Sequence, residues 1–364
     1  MSENLDVKIA EEIKSLVNKK VIDSLKNKKV PEFEIPLRAD ENIIVDKGIL
    51  TLGDKTSKRR INNVKEVRPF MQLTAVLEAV HSHLSAGRHP SIRDIYYYVK
   101  HTIPGTQTLT FSEQEESNVM VEEAELLTGF CREEMGIVAE TKGQIAGNIE
   151  MEAVVRGKIK SVKISELPIP GIIPSLMDRI RIKNVDADWI LIVEKGAVFT
   201  SLYEDGYWEK NQCLLVTAGG QPDRATRRFI SRMEKEFELP IYVLTDSDPY
   251  GIRIYLVYKG GSRGLAYESK RLAAPSVKFL GVTPSDIYKY KLPDVTVIQA
   301  TKSDLAYAEK LKSHPLLQTK EWQDELQLFL NKKEKVEIEA FSKHGFDFLS
   351  EKYLPDKIKG GKFL

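Results

Sequence analysis

Three carboxylate side chains follow two short apolar runs of this sequence, and their positions suit them to hold a cation. Glu194 comes directly after the run 189–193, and Asp246 and Asp248 follow the run 241–245. In an extended segment residues i and i+2 point to the same side, so Asp246 and Asp248 can face one point in space. All-oxygen ligands suit a hard ion, and Mg²⁺ is the usual choice where phosphates are handled. Taken alone, Asp-x-Asp is more often a solvated turn.

The elements around these carboxylates predict a parallel sheet. The apolar runs 189–193, 214–217 and 241–245 alternate with helical stretches, which is typical of buried parallel strands in an α/β fold. In such sheets the chemistry lies at the carboxyl ends of the strands, where Glu194 and the Asp-x-Asp pair stand. Convergence of these residues at neighbouring strand ends favours a metal site over a solvated turn.

Glycines and arginines follow the run 214–217. Gly219 and Gly220 form a turn, and the helix after it is opened by four charged residues, Asp223, Arg224, Arg227 and Arg228. Turn glycines and a helix N-terminus are able to face a phosphate. Arginines on a helix are more often solvated, so this second interpretation stays open.

A tyrosine beside cations is the other candidate for chemistry. Ser91 is a plausible N-cap of a helix over 92–101, on which Arg93, Tyr97 and Lys100 share one face. Two nearby cations favour the ionised phenolate form of Tyr97, and they also favour a phosphate close to its ring oxygen. Tyr98 is the second candidate, and ordinary packing is the alternative for either tyrosine.

A free phenol has a pKa of about 10, so a tyrosine nucleophile needs a base, a cation or a metal ion to assist it. Four histidines lie in the same region of the sequence, but a single histidine is usually structural, and nothing in the sequence selects a base among them: His81, His83, His89 and His101.

The chain divides into four predicted segments. Residues 1–68 begin with an amphipathic helix over 3–28, which either packs on its own domain or docks on a partner protein. Short strands and a hairpin over 43–52 follow. The segment ends in a basic linker over 53–68, which is either solvated or in contact with a phosphate backbone. Residues 69–150 contain helices over 70–86, 92–101 and 112–135 and a hairpin within 137–149, the parts of a winged helix. Residues 151–187 form a connector with a hairpin, and residues 188–364 hold the sheet and C-terminal helices.

Composition excludes several classes of protein. The 364 residues contain 54 basic and 53 acidic side chains, so a nucleic-acid surface must come from local patches. Cys131 and Cys213 are too few for a disulfide scaffold or a cysteine-rich zinc site. The sequence contains no Gly-x-x-x-x-Gly-Lys-Ser/Thr loop, so we expect no ATP hydrolysis by this chain. It also lacks a membrane span and a signal core, which predicts an intracellular, cytoplasmic protein.

These motifs resemble a known family. The Glu194 and Asp246-x-Asp248 arrangement is similar to the Toprim domain of topoisomerases, primases and some nucleases. The string Arg93-Asp94-Ile95-Tyr96-Tyr97 resembles the catalytic-tyrosine motif of the A-subunit family of topoisomerase VI, which includes the meiotic double-strand-break transesterases. The stretches 248–251, 265–269 and 278–282 look similar to archaeal members, and the likeness extends from about residue 70 onward.

The resemblance implies a fold and a mechanism. The fold would be α/β, with a winged-helix (CAP-like) domain before a Rossmann-like Toprim domain whose sheet is mainly parallel. Tyr97 would attack a DNA phosphodiester and form a 5′-phosphotyrosyl bond, and Arg93 would stabilise the phosphoryl charge. Glu194, Asp246 and Asp248 would hold Mg²⁺ near the scissile phosphate.

The resemblance also implies partners. They are double-stranded DNA, a second copy of the chain and the ATPase B subunit of topoisomerase VI, in an A2B2 complex associated with the nucleoid. In this family each tyrosine is thought to act with the metal site of the other protomer, and the N-terminal segment would be a candidate contact for the B subunit.

Three alternatives remain at this level: a recombination-initiating double-strand-break protein, another Toprim enzyme such as a nuclease or primase, and a non-catalytic DNA-binding paralogue. Primases usually bring a cysteine-rich zinc module, which two cysteines cannot build.

Overall fold

Helices precede and flank a six-stranded sheet in this chain, in agreement with the predicted α/β class. The structure is a computed structural model, and it describes residues 2–155, 157–361 and 363–364. The helices are α1 (Ser2–Val17), α2 (Asp23–Lys26), α3 (Val67–Ser85), α4 (Ile92–Val99), α5 (Gln114–Thr128), α6 (Gly196–Glu204), α7 (Tyr207–Lys210), α8 (Arg224–Phe237), α9 (Pro249–Gly260), α10 (Ser269–Leu272), α11 (Pro284–Lys289), α12 (Lys302–Lys312), α13 (Lys320–Lys332) and α14 (Leu354–Lys359). The strands are β1 (Glu32–Pro36), β2 (Ile43–Asp46), β3 (Ile49–Leu52), β4 (Thr56–Arg60), β5 (Gln144–Ala146), β6 (Ile149–Val155), β7 (Lys158–Lys163), β8 (Gly171–Ile172), β9 (Arg181–Val185), β10 (Trp189–Val193), β11 (Cys213–Thr217), β12 (Ile241–Leu244), β13 (Lys278–Gly281), β14 (Ile298–Gln299) and β15 (Glu334–Lys335).

The large sheet has the strand order β13-β12-β10-β11-β5-β8. Its first four strands are parallel, and β5 and β8 extend it in antiparallel fashion. Side chains alternate between two cores: Ile190 and Ile192 pack on one face, and Leu191 and Val193 on the other. Burial on both faces explains why these strands are continuous apolar runs rather than alternating ones.

The N-terminal helix packs within its own chain, which is one of the two predicted alternatives. Ile9 and Ile13 are fully buried in a core shared with Leu73 and Val80 of α3. A π-helical turn, Asn18–Ile22, joins α1 to α2, and Leu25 beyond it is exposed. The apolar stripe is therefore covered over most of its length and open only at its far end.

The basic segment 53–68 is not the linker that was predicted. Part of it forms β4, which pairs antiparallel with β1. Its charges find partners on the protein: the Arg59 guanidinium donates to Glu123 at 3.1 Å and Arg60 to Glu66 at 3.1 Å. These pairings satisfy the arginines inside the chain.

Helices α3, α4 and α5 surround a common core, and with α1, α2 and β1–β4 they make up what we call the N-terminal unit. Ser91 caps α4 as predicted: its hydroxyl accepts the Asp94 N–H at 3.1 Å, and the Asp94 carboxylate accepts the Ser91 N–H at 2.8 Å. The third helix was predicted to reach residue 135 but ends at Thr128. Gly129 follows in the left-handed conformation with φ 77°, which terminates the helix.

The prediction of a hairpin within 137–149 is wrong. Gln144–Ala146 pairs with β11 of the large sheet, with Ile145 opposite Val216, and Ile145 is buried there. Gly147 also lies close to β11, since a Cβ at that position would be only 2.5 Å from the Leu214 side chain. The next hairpin, β6 with β7, follows instead and agrees with the one predicted in the connector. The winged-helix assignment of residues 69–150 and the boundaries at 68, 150 and 187 remain predictions.

A buried ion cluster joins the N-terminal unit to the large sheet, and we call it the seam cluster. Arg224 of α8 is 7% exposed and lies between three glutamates. Its Nη2 donates to Glu125 at 2.6 Å and to Glu133 at 2.9 Å, and it is 3.2 Å from Glu268. Arg271 also donates to Glu133, at 2.8 Å. The arginines of this helix were expected to be solvated, and for Arg224 that expectation is wrong.

Charge compensation sets the protonation of the seam cluster. Burial alone would raise the pKa of Glu133, but Arg224, Arg271 and Arg132 outweigh burial and lower it to about 2. Glu133 is therefore ionised at neutral pH and needs its arginines.

Among the described residues, none of the helices has both the length and the apolar character that crossing a bilayer requires.

We predict that Arg224→Met destabilises the chain strongly. Glu125 would lose its buried counter-ion, and Glu133 and Glu268 would lose one of theirs and keep Arg271. An uncompensated buried charge costs about 3–5 kcal/mol. Urea unfolding followed by circular dichroism measures the loss of unfolding free energy. The control is Lys58→Met, which breaks the exposed pair with Glu32 and should leave the unfolding free energy nearly unchanged. Similar midpoints for the two variants would contradict the role given to Arg224.

Candidate metal centre and tyrosine site

The three predicted carboxylates lie at one edge of the large sheet. Strands β10 and β12 are neighbours, with Val193 opposite Leu244, so the residues that follow them emerge side by side. The N–H of Asp246 donates to Glu194 Oε2 at 2.9 Å, which links the two strand ends directly. Asp248 caps α9 and accepts the N–H groups of Tyr250 and Gly251 at 2.9 and 2.8 Å. Backbone geometry thus fixes each carboxylate.

Lys195 is a residue of this site that the sequence interpretation missed. Its Nζ lies 3.0 Å from Asp246 Oδ2, and it also contacts Glu337 at 3.3 Å and Glu339 at 2.8 Å. The other oxygen of Asp246 accepts the N–H of Ile338 at 2.9 Å. In the sequence, Lys195 could have been identified from its position directly after Glu194 at the strand end. Glu337 and Glu339 could not have been identified, because they lie more than a hundred residues from Lys195.

Negative charge is incompletely compensated at this edge. Burial, together with the charges of Asp246 and Asp248, raises the pKa of Glu194 to about 7, although the hydrogen bond from the Asp246 N–H opposes the rise. Burial also raises the pKa of Asp246, against the hydrogen bonds from Ile338 and Lys195. A group of carboxylates with raised pKa values is the electrostatic situation that a bound cation relieves.

A second group of possible ligands lies in the seam cluster and suits a metal less well. Within the part of the chain that the structure describes, ligand atoms of Cys131, Glu133 and Glu268 lie within 4.8 Å of one another. Their charge is already met by Arg224 and Arg271, and burial raises the pKa of the Cys131 thiol, which keeps it protonated. Among the described residues, the strand-end carboxylates are less fully compensated, with Lys195 as the ammonium group that contacts Asp246.

The candidate nucleophile lies on the exposed face of α4. Tyr97 and Tyr98 are 60% and 61% exposed, whereas Tyr96 is buried. The Arg93 guanidinium carbon lies 5.9 Å from the centroid of the Tyr97 ring. Lys100, predicted to be a second cation for Tyr97, instead donates to the Tyr96 hydroxyl at 2.5 Å. The prediction of two cations beside Tyr97 is therefore wrong for Lys100, which donates to the Tyr96 hydroxyl instead.

The structure does not bring Tyr97 to the carboxylates of its own chain. Among the described residues, the ring contacts of Tyr97 are with Arg93 and Tyr96 alone. Two of the candidate bases have other partners: His83 Nε2 is 2.8 Å from the Met135 carbonyl oxygen, and His89 Nε2 is 3.2 Å from Asp6. Neither histidine is paired with the tyrosine.

Two protein-family models match separate parts of the chain. The family model for the Toprim domain of the topoisomerase 6 A subunit and Spo11 matches residues 189–358, which include the three carboxylates. The model described as "Type IIB DNA topoisomerase" matches residues 68–137, which include Tyr97.

Curated relatives match nearly the whole chain. The A subunit of type 2 DNA topoisomerase 6 from Hyperthermus butylicus is 40% identical over 95% of this chain and 93% of its own length. The protein of the same name from Pyrococcus abyssi is 38% identical over 95% and 92%. The A subunit of DNA topoisomerase 6 from Arabidopsis thaliana is 33% identical over 91% and 76%. The chain therefore belongs to the A-subunit family of the type IIB DNA topoisomerases, a class of isomerase, and contains the Toprim domain, a metal-binding fold.

Proposed function

We propose that this chain is the DNA-cleaving subunit of a type IIB topoisomerase that uses Tyr97 as its nucleophile. The observation that supports it best is an exposed tyrosine beside Arg93, in the same chain as three carboxylates gathered at one sheet edge. A tyrosine provides a covalent intermediate, and the carboxylates provide a place for the ion that phosphoryl transfer requires.

In the proposed reaction Tyr97 Oη attacks a phosphorus atom of duplex DNA. The Oη–P bond forms, the P–O3′ bond breaks, and the phenolic proton ends on the departing 3′-oxygen. The product is a 5′-phosphotyrosyl ester, and attack by the 3′-hydroxyl reverses each of these steps. Arg93 stabilises the charge on the phosphoryl oxygens. Because the ester keeps the energy of the broken bond, religation needs no ATP.

Glu194, Asp246 and Asp248 are the proposed ligands of Mg²⁺. When bound, the ion would neutralise the charge that develops on the phosphoryl oxygens. Two N–H groups at the start of α9 donate to Asp248 Oδ1, which leaves Oδ2 as the oxygen proposed to bind the ion. Lys195 holds Asp246 in place from the other side.

The proposed assembly contains double-stranded DNA, two copies of this chain and two copies of the ATPase B subunit, inside the cell and associated with the nucleoid. Two observations support it. Tyr97 has no contact with the carboxylates of its own chain, so we propose that it works with those of the second copy. The exposed end of the N-terminal helix around Leu25 is the proposed contact for the B subunit. Residues 69–150 are the proposed winged-helix domain that binds the DNA.

We predict that Tyr97→Phe abolishes covalent adducts between protein and DNA. The substitution removes the attacking oxygen and keeps the ring. End-labelled duplex DNA is incubated with the complete complex, trapped with detergent and examined for protein-linked ends. The matched control is Tyr98→Phe on the adjacent, equally exposed position, which should retain the adducts. Loss of adducts in the control alone would transfer the role to Tyr98, and cleavage that leaves free 5′ ends would indicate a nuclease.

A mixed dimer tests whether the site forms between two chains. A Tyr97→Phe chain is paired with a Glu194→Gln chain, each with a different affinity tag, and the doubly tagged complex is isolated. If the tyrosine and carboxylates come from different chains, one of the two sites is intact, and single-strand nicks with attached protein appear. A site formed within one chain leaves both centres defective, and no adduct would form.

We predict that Mg²⁺ binding weakens in mild acid. The ion requires a carboxylate at Glu194, whose pKa of about 7 means that it becomes protonated as the pH falls below neutrality. From pH 8 to pH 6 the apparent affinity should fall about tenfold, as measured by isothermal titration calorimetry. Glu194→Gln should bind weakly at both pH values, and Glu204→Gln, an exposed position on α6, should behave as wild type. Equal affinity of the wild type at both pH values would refute the role of Glu194.

A further inference from the structure

A cleft of about 430 Å³, with charged side chains among its lining residues, lies where the N-terminal unit meets the large sheet. It is bordered by Arg132 and Thr141, which lie between α5 and β5, and by the start of α8, including Arg227. Helix α8 follows β11, the strand next to β10, so its start lies on the same edge of the sheet as Glu194. The chemistry proposed for the tyrosine and the carboxylates does not use this cleft.

Arg227 is a buried cation without a partner in this cleft. It is 2% exposed, and within the described part of the chain its Nε and Nη2 have no hydrogen-bond acceptor. Each of the other arginines of α8 is paired with a carboxylate: Arg224 with glutamates, Arg228 with Asp178 and Arg232 with Glu236. Burial and the neighbouring Arg224 lower the pKa of Arg227 to about 10, so it is charged at neutral pH. An unpaired buried guanidinium is costly unless an anion meets it.

The start of α8 adds donors at the same place. Asp223 caps the helix and accepts the N–H of Thr226 at 2.7 Å and of Lys142 at 2.9 Å. Arg224 and Ala225 also line the cleft, and N–H groups in a first turn have no acceptor within their own helix. The helix dipole further favours an anion at this end.

The carboxylates on the walls of the cleft have ion-pair or hydrogen-bond partners, apart from one at the rim. Glu122 pairs with Arg38, and Glu133 pairs with Arg132 and the seam cluster. Asp223 is occupied by the two N–H groups described above. Glu140 is exposed at the border. Among the described residues that line the interior of the cleft, Arg227 is therefore the cation without a direct ion pair, and Glu268 acts on it only at longer range.

We propose that this cleft binds a phosphate group, held by the Arg227 guanidinium and the first-turn N–H groups of α8. Phosphate offers several acceptor oxygens, which suits a guanidinium together with a helix N-terminus. The group comes either from free phosphate or from the backbone of DNA bound at the neighbouring edge of the sheet. The second source rests on the proposed function, and the first does not.

Thermal unfolding of the full chain tests the site. With a chelator present and ionic strength matched by chloride, millimolar inorganic phosphate should raise the Tm of the wild type by about 2 °C or more. Arg227→Met should lose this rise, and in chloride it should be more stable than the wild type, because an unpaired buried charge has been removed. Arg181→Met, an exposed arginine of β9, should keep the rise. No rise in the wild type, or an equal rise in Arg227→Met, would overturn the assignment.

Duplex DNA binding, followed by fluorescence anisotropy, distinguishes the two sources. If the DNA backbone occupies the cleft, Arg227→Met lowers DNA affinity several-fold, and phosphate competes with DNA in the wild type at constant ionic strength. If free phosphate occupies it, the two proteins bind DNA equally while the Tm difference persists. Both readouts are independent of cleavage, so they stay informative if Tyr97→Phe retains its adducts.

Discussion

The seam cluster is the interaction on which the rest of this structure depends. Arg224 and Arg271 lie among glutamates that come from both halves of the chain, and the cluster is nearly excluded from water. Buried charges tolerate little displacement, because separating them exposes an uncompensated charge to a low dielectric. The N-terminal unit and the large sheet are consequently held in one arrangement, and the positions of α4 and of the strand-end carboxylates are fixed relative to each other.

The charges at the sheet edge are arranged differently, because they are only partly paired. The seam cluster pairs its charges, whereas the edge gathers Glu194, Asp246 and Asp248 with Lys195 as the nearby cation. The parallel sheet makes this possible, because neighbouring strands deliver their following residues to one place and the N-terminus of α9 tolerates a carboxylate there. The same fold therefore contains one compensated group of charges that holds it together and one partly compensated group, to which the proposed function assigns the metal ion.

Local patterns were sufficient to predict the elements that stand around the site. Strands β10, β11 and β12 are short apolar runs bounded by turns, and Ser91 is a recognisable N-cap. Pairings between distant segments were not predictable in this way. Strand β5 has three residues, and its partner β11 lies some seventy residues later, so it was mistaken for half of a local hairpin. The burial of Arg224 and the diversion of Lys100 to Tyr96 also depend on neighbours that no periodicity reveals.

If Tyr97 is the nucleophile, as we propose, its exposure prevents a single chain from damaging DNA in a cell. A phenol that stands in bulk water, with one guanidinium nearby and without a contact to the carboxylates of its own chain, is a poor nucleophile. A single unassembled chain would then be harmless to the chromosome, however much of it is made. Under this arrangement the capacity to break DNA appears only together with the second chain that holds the other broken strand.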